Sequence, residues 1–403
     1  MALYGDPSFD SRVQREATTL ATEGYAVTIA CLEVSDPSAM DLPAEVRLMS
    51  HRPALSDVLP GTRSPFHPDD PGTARPTRNG RFAWLSGYVR NARSWGRWAA
   101  ASVQPDAWHA HDLTALAALG RTKAFRRPVV YDSHELYLES GSSMRLPAPV
   151  RWALRRYERR LARNCATVIT VNRGVADALR ERYGVDPVVV LNCPSYEEVR
   201  RPGEMRDRLR LGDRPILLYH GALSPGRGIG ATIAALRALP PDVAFVVLGN
   251  GSLGPELLEL QSDSDLTGRL VVHPAVPPRD LLRWVVDADV AVVLIEATEL
   301  NFRLSTPNKL FEAMTSGVPV LASPLPVMSE IINAEQIGWT VDPTDAAAVA
   351  ARIGEMLGQP NLLRKMGERA RRAARDRYNW ERQAEGLLAT YERVLGGSAR
   401  PRR

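Results

Sequence analysis

A proline, a lysine and a glutamate stand at telling positions in Thr306-Pro307-Asn308-Lys309-Leu310-Phe311-Glu312. Thr306 can cap a helix, Pro307 suits its first turn, and Gly317 can end it before a short apolar strand that starts near Val318. The N-terminus of such a helix offers backbone N–H groups and the positive end of a dipole to an anion. Lys309 adds a charge in the first turn. Glu312, one turn further on, is acceptor-only when ionised and suits a diol such as the 2′- and 3′-hydroxyls of ribose. These residues read as a seat for a phosphate joined to a hydroxyl-bearing group, although an ordinary αβ unit could carry the same letters.

A second stretch, Ser224-Pro225-Gly226-Arg227-Gly228-Ile229-Gly230, follows an apolar strand and precedes a helix. Its glycines let the backbone approach a phosphate, and Arg227 can fork onto the oxygens. Gly249-Asn250-Gly251-Ser252-Leu253-Gly254 has the spelling of a dinucleotide fingerprint, but the next strand ends at His273-Pro274 where an acidic residue is wanted. A tight strand-to-helix turn is the better reading. Asp287-Ala288-Asp289 falls where a helix gives way to a buried strand, and Asp263 and Asp265 lie in a polar turn; no metal is expected at either. The charge of a leaving diphosphate must then be met by Arg227, Lys309 and the helix that begins near Pro307.

These stretches sit on a repeated alternation of helix and apolar strand, the signature of an α/β protein. In the first half, Arg12 to Glu23 has Val13, Ala17 and Leu20 on one face, and Tyr25 to Leu32 reads as a buried strand. Residues 51–80, rich in proline, arginine, glycine and aspartate, read as a long loop. A helix over Arg81 to Ser102 carries Trp84, Trp95 and Trp98 among arginines, and is expected to pack its aromatic side inward, with rest on a membrane surface as the functional alternative. Trp108-His109-Ala110-His111-Asp112 and Asp132-Ser133-His134-Glu135 are expected just after strands, at the carboxyl edge where open sheets bind ligands. Residues 150–163 form a basic helix with Val150, Leu154, Tyr157 and Leu161 on its apolar side. Its arginines are expected to be solvated, with anionic lipid or a phosphorylated acceptor as the functional alternative.

The second half restarts the alternation with strands at Ile216 to His220, Val243 to Leu248, Leu270 to His273 and Val290 to Ile295. The expected organisation is an N-terminal domain over 1–192, a linker over 193–214, and a second domain over 215–377. A C-terminal helix over 378–397 is expected to pack back towards the first domain, ahead of a disordered tail over 398–403. Two doubly wound, Rossmann-like domains joined in this way predict a central cleft.

The 403 residues are too many for one ordinary core, and a net charge of +5 is mild for that length. Basic residues are almost all arginine, with lysine only at Lys123, Lys309 and Lys365. No zinc-finger spacing or aromatic RNA-binding signature accompanies the charge, so nucleic acid is not an expected partner. Cys31, Cys165 and Cys193 lie far apart without metal-ligand spacing, as in a reduced, cytoplasmic protein. No apolar run is longer than Val290 to Ile295, which cannot cross a bilayer, so any membrane contact is expected to be peripheral, at the inner face.

The chain resembles the retaining nucleotide-sugar glycosyltransferases of the GT-B fold, the family 4 or group 1 type. The resemblance runs through Phe9-Asp10-Ser11-Arg12-Val13, His109-Ala110-His111-Asp112 and Tyr131-Asp132-Ser133-His134-Glu135-Leu136. It is most specific at Pro307-Asn308-Lys309-Leu310-Phe311-Glu312-Ala313-Met314 with Gly317-Val318-Pro319-Val320. It implies transfer of a sugar from a nucleotide diphosphate, UDP first, to a hydroxyl of a glycan, glycolipid or small metabolite, without a cofactor. His111, Arg227 and Lys309 would be catalytic. Gly226, Arg227, Gly249, Val276, Thr306, Asn308, Lys309 and Glu312 would bind the nucleotide, and Asp112, His134 and Glu135 would line the acceptor side. The family's first glutamate, eight positions before Glu312, is replaced by Leu304, so the donor sugar's hydroxyls have no assigned partner there. A nucleotide-sugar epimerase, or a binding protein without turnover, would fit the same fold.

Overall fold

In the computed structural model, which describes residues 1–53, 78–201 and 203–396, the alternation of helices and apolar strands closes into two parallel sheets. Each sheet belongs to its own unit. One comprises Met1–Asn192 together with the chain from Gln383 onward, the other Cys193–Arg382.

In the first unit the chain runs β1 (Ala2–Leu3), α1 (Ser11–Thr22), β2 (Thr28–Cys31), β3 (Arg47–Ser50), α2 (Arg78–Ser102), β4 (Trp108–His111), α3 (Asp112–Leu119), β5 (Val129–Ser133), α4 (Ala148–Arg163), β6 (Thr167–Thr170), α5 (Arg173–Tyr183) and β7 (Val188–Val189). The strands lie in the order β3-β2-β1-β4-β5-β6-β7. The strand order reverses between β1 and β4, a switch point of the kind at which such sheets bind ligands. Although β1 has only two residues, it is central: Leu3 is in register with Cys31 on one side and His111 on the other. Most of the expected loop over 51–80 lies outside the described residues, as does the expected tail.

Helix α2 turns Trp95 inward, where its indole N–H donates to the Cys31 carbonyl at 3.0 Å, while Trp98 stacks on His51. Gly96 is where α2 meets α3, since a Cβ there would stand 2.3 Å from the Ala118 carbonyl oxygen. In α4 the apolar face is narrower than expected. Leu161 and Ala162 are buried with Glu158, whereas Val150, Leu154 and Tyr157 are only half-buried. Glu158 enters the core because the hydroxyls of Tyr131 and Tyr183 donate to its two oxygens at 2.8 and 2.6 Å.

The second unit contains α6 (Glu204–Arg208), β8 (Ile216–His220), α7 (Ile229–Ala238), β9 (Ala244–Leu248), α8 (Gly254–Leu260), β10 (Leu270–His273), α9 (Pro278–Val285), β11 (Val290–Val293), α10 (Leu300–Arg303), α11 (Asn308–Ser316), β12 (Val320–Ala322), α12 (Pro326–Glu335), β13 (Gly338–Thr340), α13 (Ala346–Leu357) and α14 (Pro360–Asp376). Its sheet order, β10-β9-β8-β11-β12-β13, places a switch point between β8 and β11. A last helix, α15 (Trp380–Val394), begins in this unit and belongs to the first from Gln383.

The stretch 193–214 is part of this unit. Asp287 draws it in by accepting from the backbone N–H groups of Gly203, Met205 and Arg206, and Asp289 accepts from Arg206 and from the Ile216 N–H. The two aspartates therefore tie chain segments together. Asp263 and Asp265 are likewise engaged, both by Arg237. All three cysteines are free. Among the described residues no helix is long and apolar enough to cross a membrane.

Candidate active-site clusters

In the second unit, α11 starts one or two residues later than the sequence suggests. Pro307 is its N-cap, at φ −69° and ψ 147°, and no side chain caps the helix. With proline holding the extended cap position, Thr306 is one residue too early for that role. The C-terminus is as expected: Gly317 takes the left-handed conformation at φ +68°.

Lys309 is buried in the first turn of α11, with Nζ 3.6 Å from the centre of the Tyr219 ring. It makes no ion pair with a carboxylate among the described residues. Burial, reinforced by the charge of Arg227 and only partly opposed by Glu312, pushes its pKa well below the ordinary lysine value. Glu312 is half-buried and lies 2.8 Å from His220 Nε2 at the end of β8. Tyr219 and His220 were not singled out in the sequence, where they are simply the end of an apolar strand.

Glycines bring the backbone up to this lysine. Gly221, at φ +118°, would point a Cβ to 3.7 Å from Lys309 Nζ. Behind it, a Cβ on Gly249 would stand 1.9 Å from the Gly221 carbonyl oxygen, so the two loops pack with no side chain between them. Gly251 packs in the same way on Leu223, whose N–H donates to the Asn250 carbonyl at 2.9 Å. The fingerprint-like glycines thus serve loop-on-loop packing. In the turn before α7, the Gly226 carbonyl accepts from the Glu296 N–H, and the Arg227 guanidinium lies 5.3 Å from the Phe302 ring centre. The structure therefore brings Gly249, Lys309 and Glu312 to the carboxyl edge of β8, with the charge of Arg227 acting on Lys309; Gly226 directly precedes Arg227, and Thr306 and Asn308 flank the Pro307 N-cap of α11. Val276 is half-buried in the connection from β10 to α9, where nothing described joins it to Lys309.

In the first unit, His109 and His111 belong to β4 itself and Asp132 to β5, rather than following their strands. Parallel pairing sets His111 against Asp132. Arg12 of α1 clamps the Asp132 carboxylate through Nε and Nη2, both at 2.8 Å, and Glu16 lies 3.1 Å from the same Nε. All these side chains are buried. The Arg12 charge, against the cost of burial, holds Asp132 well below the usual carboxylate range, while burial and Asp132 raise Glu16. A protonated Glu16 can donate to His109 Nε2, 3.3 Å away, and His109 Nδ1 meets the Tyr391 hydroxyl of α15 at 2.8 Å. Donor atoms of Glu16, His109, His111 and Asp132 lie within 4.8 Å of one another, the spacing of a metal site. Arg12 already sets a cation beside both carboxylates, hydrogen-bonded to Asp132 and 3.1 Å from Glu16.

His111 lies beneath this edge. Its side chain is fully buried, with Nδ1 3.2 Å from His134 Nε2 and 3.3 Å from Asp132 Oδ2. Burial, with His109 beside it, keeps it neutral by holding its pKa well below the ordinary value. His134 and Asp112 are the partly exposed members, at 18% and 28%. Burial works against a charge on His134, yet Asp112 and Asp132 outweigh it and raise the pKa to about 10. Burial raises the Asp112 carboxyl to about 7. Asp112 accepts from the His134 N–H at 3.0 Å and sits at φ +61°, a strained conformation for a residue with a Cβ. Glu135 accepts from the Ser140 hydroxyl at 2.6 Å. The sequence reading missed Arg12, Glu16 and the role of Asp132. The available signal was that Arg12 and Glu16, four apart, each directly precede a buried position of the same helix, Val13 and Ala17.

Two family models, "Glycosyltransferase Family 4" over residues 11–195 and "Glycosyl transferases group 1" over residues 200–373, together span both units. The chain belongs to the group 1 glycosyltransferases, with the GT-B fold. This glycosyltransferase is 28% identical over 286 residues to a GDP-mannose-dependent alpha-(1-6)-phosphatidylinositol monomannoside mannosyltransferase of Mycolicibacterium smegmatis, covering 68% of this chain and 72% of that one. It is 29% identical over 240 residues to a D-inositol 3-phosphate glycosyltransferase of Xylanimonas cellulosilytica, covering 56% of each. Among solved structures, HepE of Anabaena in complex with UDP superposes with a TM-score of 0.66 at 17% identity, over 97% of this chain and 99% of that one. At that identity the likeness speaks for the fold alone.

Proposed function

We propose that this glycosyltransferase moves a sugar, with retention at the anomeric carbon, from a nucleoside diphosphate donor to an acceptor hydroxyl. The observation that carries the reading is Lys309: a buried amine that forms no ion pair among the described residues, next to Arg227 and at the first turn of an uncapped helix. Desolvation and Arg227 outweigh the attraction of Glu312 and disfavour its charge, and a bound diphosphate would restore it. Lys309, Arg227 and the α11 N–H groups take the diphosphate, and Glu312, held by His220, takes the ribose diol. Gly226, Gly249, Thr306, Asn308 and Val276 complete the nucleotide contacts. UDP is the proposed carrier, supported by the UDP-bound relative of the same fold; the M. smegmatis relative makes GDP its competitor.

In the first unit, His134, Asp112 and Glu135 receive the acceptor, and buried His111 positions His134 from below. The step proposed is a metal-independent front-face transfer: the bond from the anomeric carbon to the phosphate oxygen breaks while the acceptor oxygen bonds the same carbon. The departing phosphate oxygen takes the acceptor proton, so the enzyme supplies no nucleophile. Charge stabilisation at the leaving diphosphate is then the main catalytic contribution of the protein.

Calorimetry with UDP and GDP tests the nucleotide site. Glu312→Ala and Lys309→Ala are each expected to weaken the preferred nucleotide roughly 10- to 100-fold, as for loss of a charge-assisted hydrogen bond of about 1.5–3 kcal/mol. Unchanged affinity in both would sink the site. His111→Ala is expected to keep nucleotide affinity and lower transfer, read by mass spectrometry after incubation with a panel of nucleotide sugars and a bacterial metabolite extract. Release of free nucleotide without any acceptor would favour an epimerase.

A further inference from the structure

Helix α4 carries a surface that the transfer reaction does not use. Trp152 is 60% exposed, the most exposed of the large apolar side chains among the described residues. Arg156, Arg159 and Arg163 follow it at i+4, i+7 and i+11, which puts all four on one stripe of the helix, and Arg160 lies alongside. All four arginines are exposed, and none forms an ion pair among the described residues. Several nearby arginines behave differently: Arg155 and Arg182 pair with Glu139, Arg180 with Asp177 and Asp186, and Arg173 with Asp177. Arg121, Arg126 and Arg127, after α3, are exposed and unpaired too among the described residues, so the α4 stripe is set apart by the exposed Trp152 among its arginines.

We propose that this face of α4 docks the protein onto a bilayer rich in anionic lipid. The stripe from Trp152 to Arg163 is roughly 16 Å long at the helical rise, enough for several lipid headgroups. Arginines at such a surface each contribute favourable attraction to anionic headgroups, and tryptophan favours the boundary between headgroups and acyl chains. Trp152 also distinguishes a bilayer from a purely polyanionic partner. The Arg156 guanidinium lies 5.1 Å from the Trp152 ring centre, so one cation rests directly on the aromatic face. The exposed Pro147, Ala148 and Pro149 and the exposed Ala153 extend the uncharged end of the stripe. Helix α4 also braces the turn after β5 through the Arg155–Glu139 pair, so docking would bring the His134 loop near the lipid surface. The docking stands whether or not the nucleotide site is as proposed.

The test is co-sedimentation of the full-length protein with vesicles of phosphatidylcholine alone or with 30% phosphatidylglycerol (~ a common anionic composition). Binding is expected to the anionic vesicles only and to fall as salt rises. Arg156→Glu with Arg159→Glu is expected to weaken partitioning at least about 25-fold, at about fivefold per arginine. Trp152→Ala is expected to weaken it several-fold with no change of charge. Arg279→Glu with Arg283→Glu, an equal charge change on exposed residues of α9, is expected to keep most of the binding. Circular dichroism melts check that each variant folds. Equal loss in both double variants, no effect of Trp152→Ala, or heparin binding that matches the vesicles in affinity and ignores Trp152→Ala would each overturn the proposal. The last of these would assign the stripe to an acidic polymer.

Discussion

At the scale of single residues, Asp132 joins more of the chemistry than any other side chain of the first unit. It is clamped by Arg12 and meets His134 Nε2 at 2.9 Å. Asp132→Asn removes the bidentate carboxylate from a buried guanidinium and leaves Glu16 alone beside it, and chemical denaturation is expected to show a loss of up to about 3–5 kcal/mol. His134 adds a pH dependence. Its pKa rises from an ordinary 6.5 to about 10 in the fold, so the stabilisation is fully present below pH 6.5 and is lost as pH climbs through 10. The contribution from Asp112, raised from 3.8 to about 7, is lost in a lower window. The thermal midpoint should therefore fall between pH 7 and 10, and His134→Gln should flatten that fall. An identical pH profile in the variant would show that His134 carries no such charge. Lys309 and Glu312 were legible because a cap-like proline and a C-terminal glycine frame them. The Arg12–Asp132 clamp was not, because an arginine and an aspartate 120 positions apart give no sign of pairing until the sheet brings them together.

At the scale of elements, the alternation of apolar strands with amphipathic helices was readable because parallel strands buried on both faces leave continuous apolar runs. The β8 and β10 bounds agree with the reading to the residue. Helix α3 was missed since Asp112–Leu119 is almost uniformly apolar after its first residue, leaving no period to read. α12 and β13 lie in a stretch where short length hid the pattern. The turn into α7 gives the sharpest local test. Gly228 sits at φ +69°, and a Cβ there would lie 2.2 Å from the Leu294 Cβ; Gly230, two residues on, has nothing within 4 Å. Gly228→Ala is expected to cost about 2–4 kcal/mol in urea unfolding and to weaken nucleotide binding by displacing Arg227. Gly230→Ala, inside the helix, is expected to be neutral or to stabilise by about 0.5–1 kcal/mol. Equal effects would mean that the turn is not held by close packing on β11.

At the scale of the whole molecule, the two units differ in how the chain builds them. The second, Cys193–Arg382, is one continuous stretch, whereas the first is closed by the chain from Gln383 onward. That return is well anchored. Gln383 Oε1 accepts from the Leu191 N–H at 3.1 Å, a Cβ on Gly386 would stand 3.9 Å from Val190 and 4.0 Å from Val188, and Leu387 and Thr390 are fully buried. Tyr391 meets His109 at 2.8 Å and its ring lies 5.7 Å from that of Tyr25. Without this helix, burial of Leu387 and Tyr391 is lost at about 1.5–3 kcal/mol each, and His109 Nδ1 loses its hydrogen bond at about 1–3 kcal/mol more. The sum rivals the entire 5–15 kcal/mol typical of a domain. A fragment of residues 1–192 is therefore expected to aggregate or to lack a cooperative melt by calorimetry. A fragment of residues 193–382 is expected to melt cooperatively and to show the nucleotide affinity of the full chain, because Lys309, Arg227 and Glu312 all lie within it. Supplying residues 378–396 as a separate peptide should rescue the first fragment. A cooperative melt of residues 1–192 alone would show that its core is complete without the returning helix.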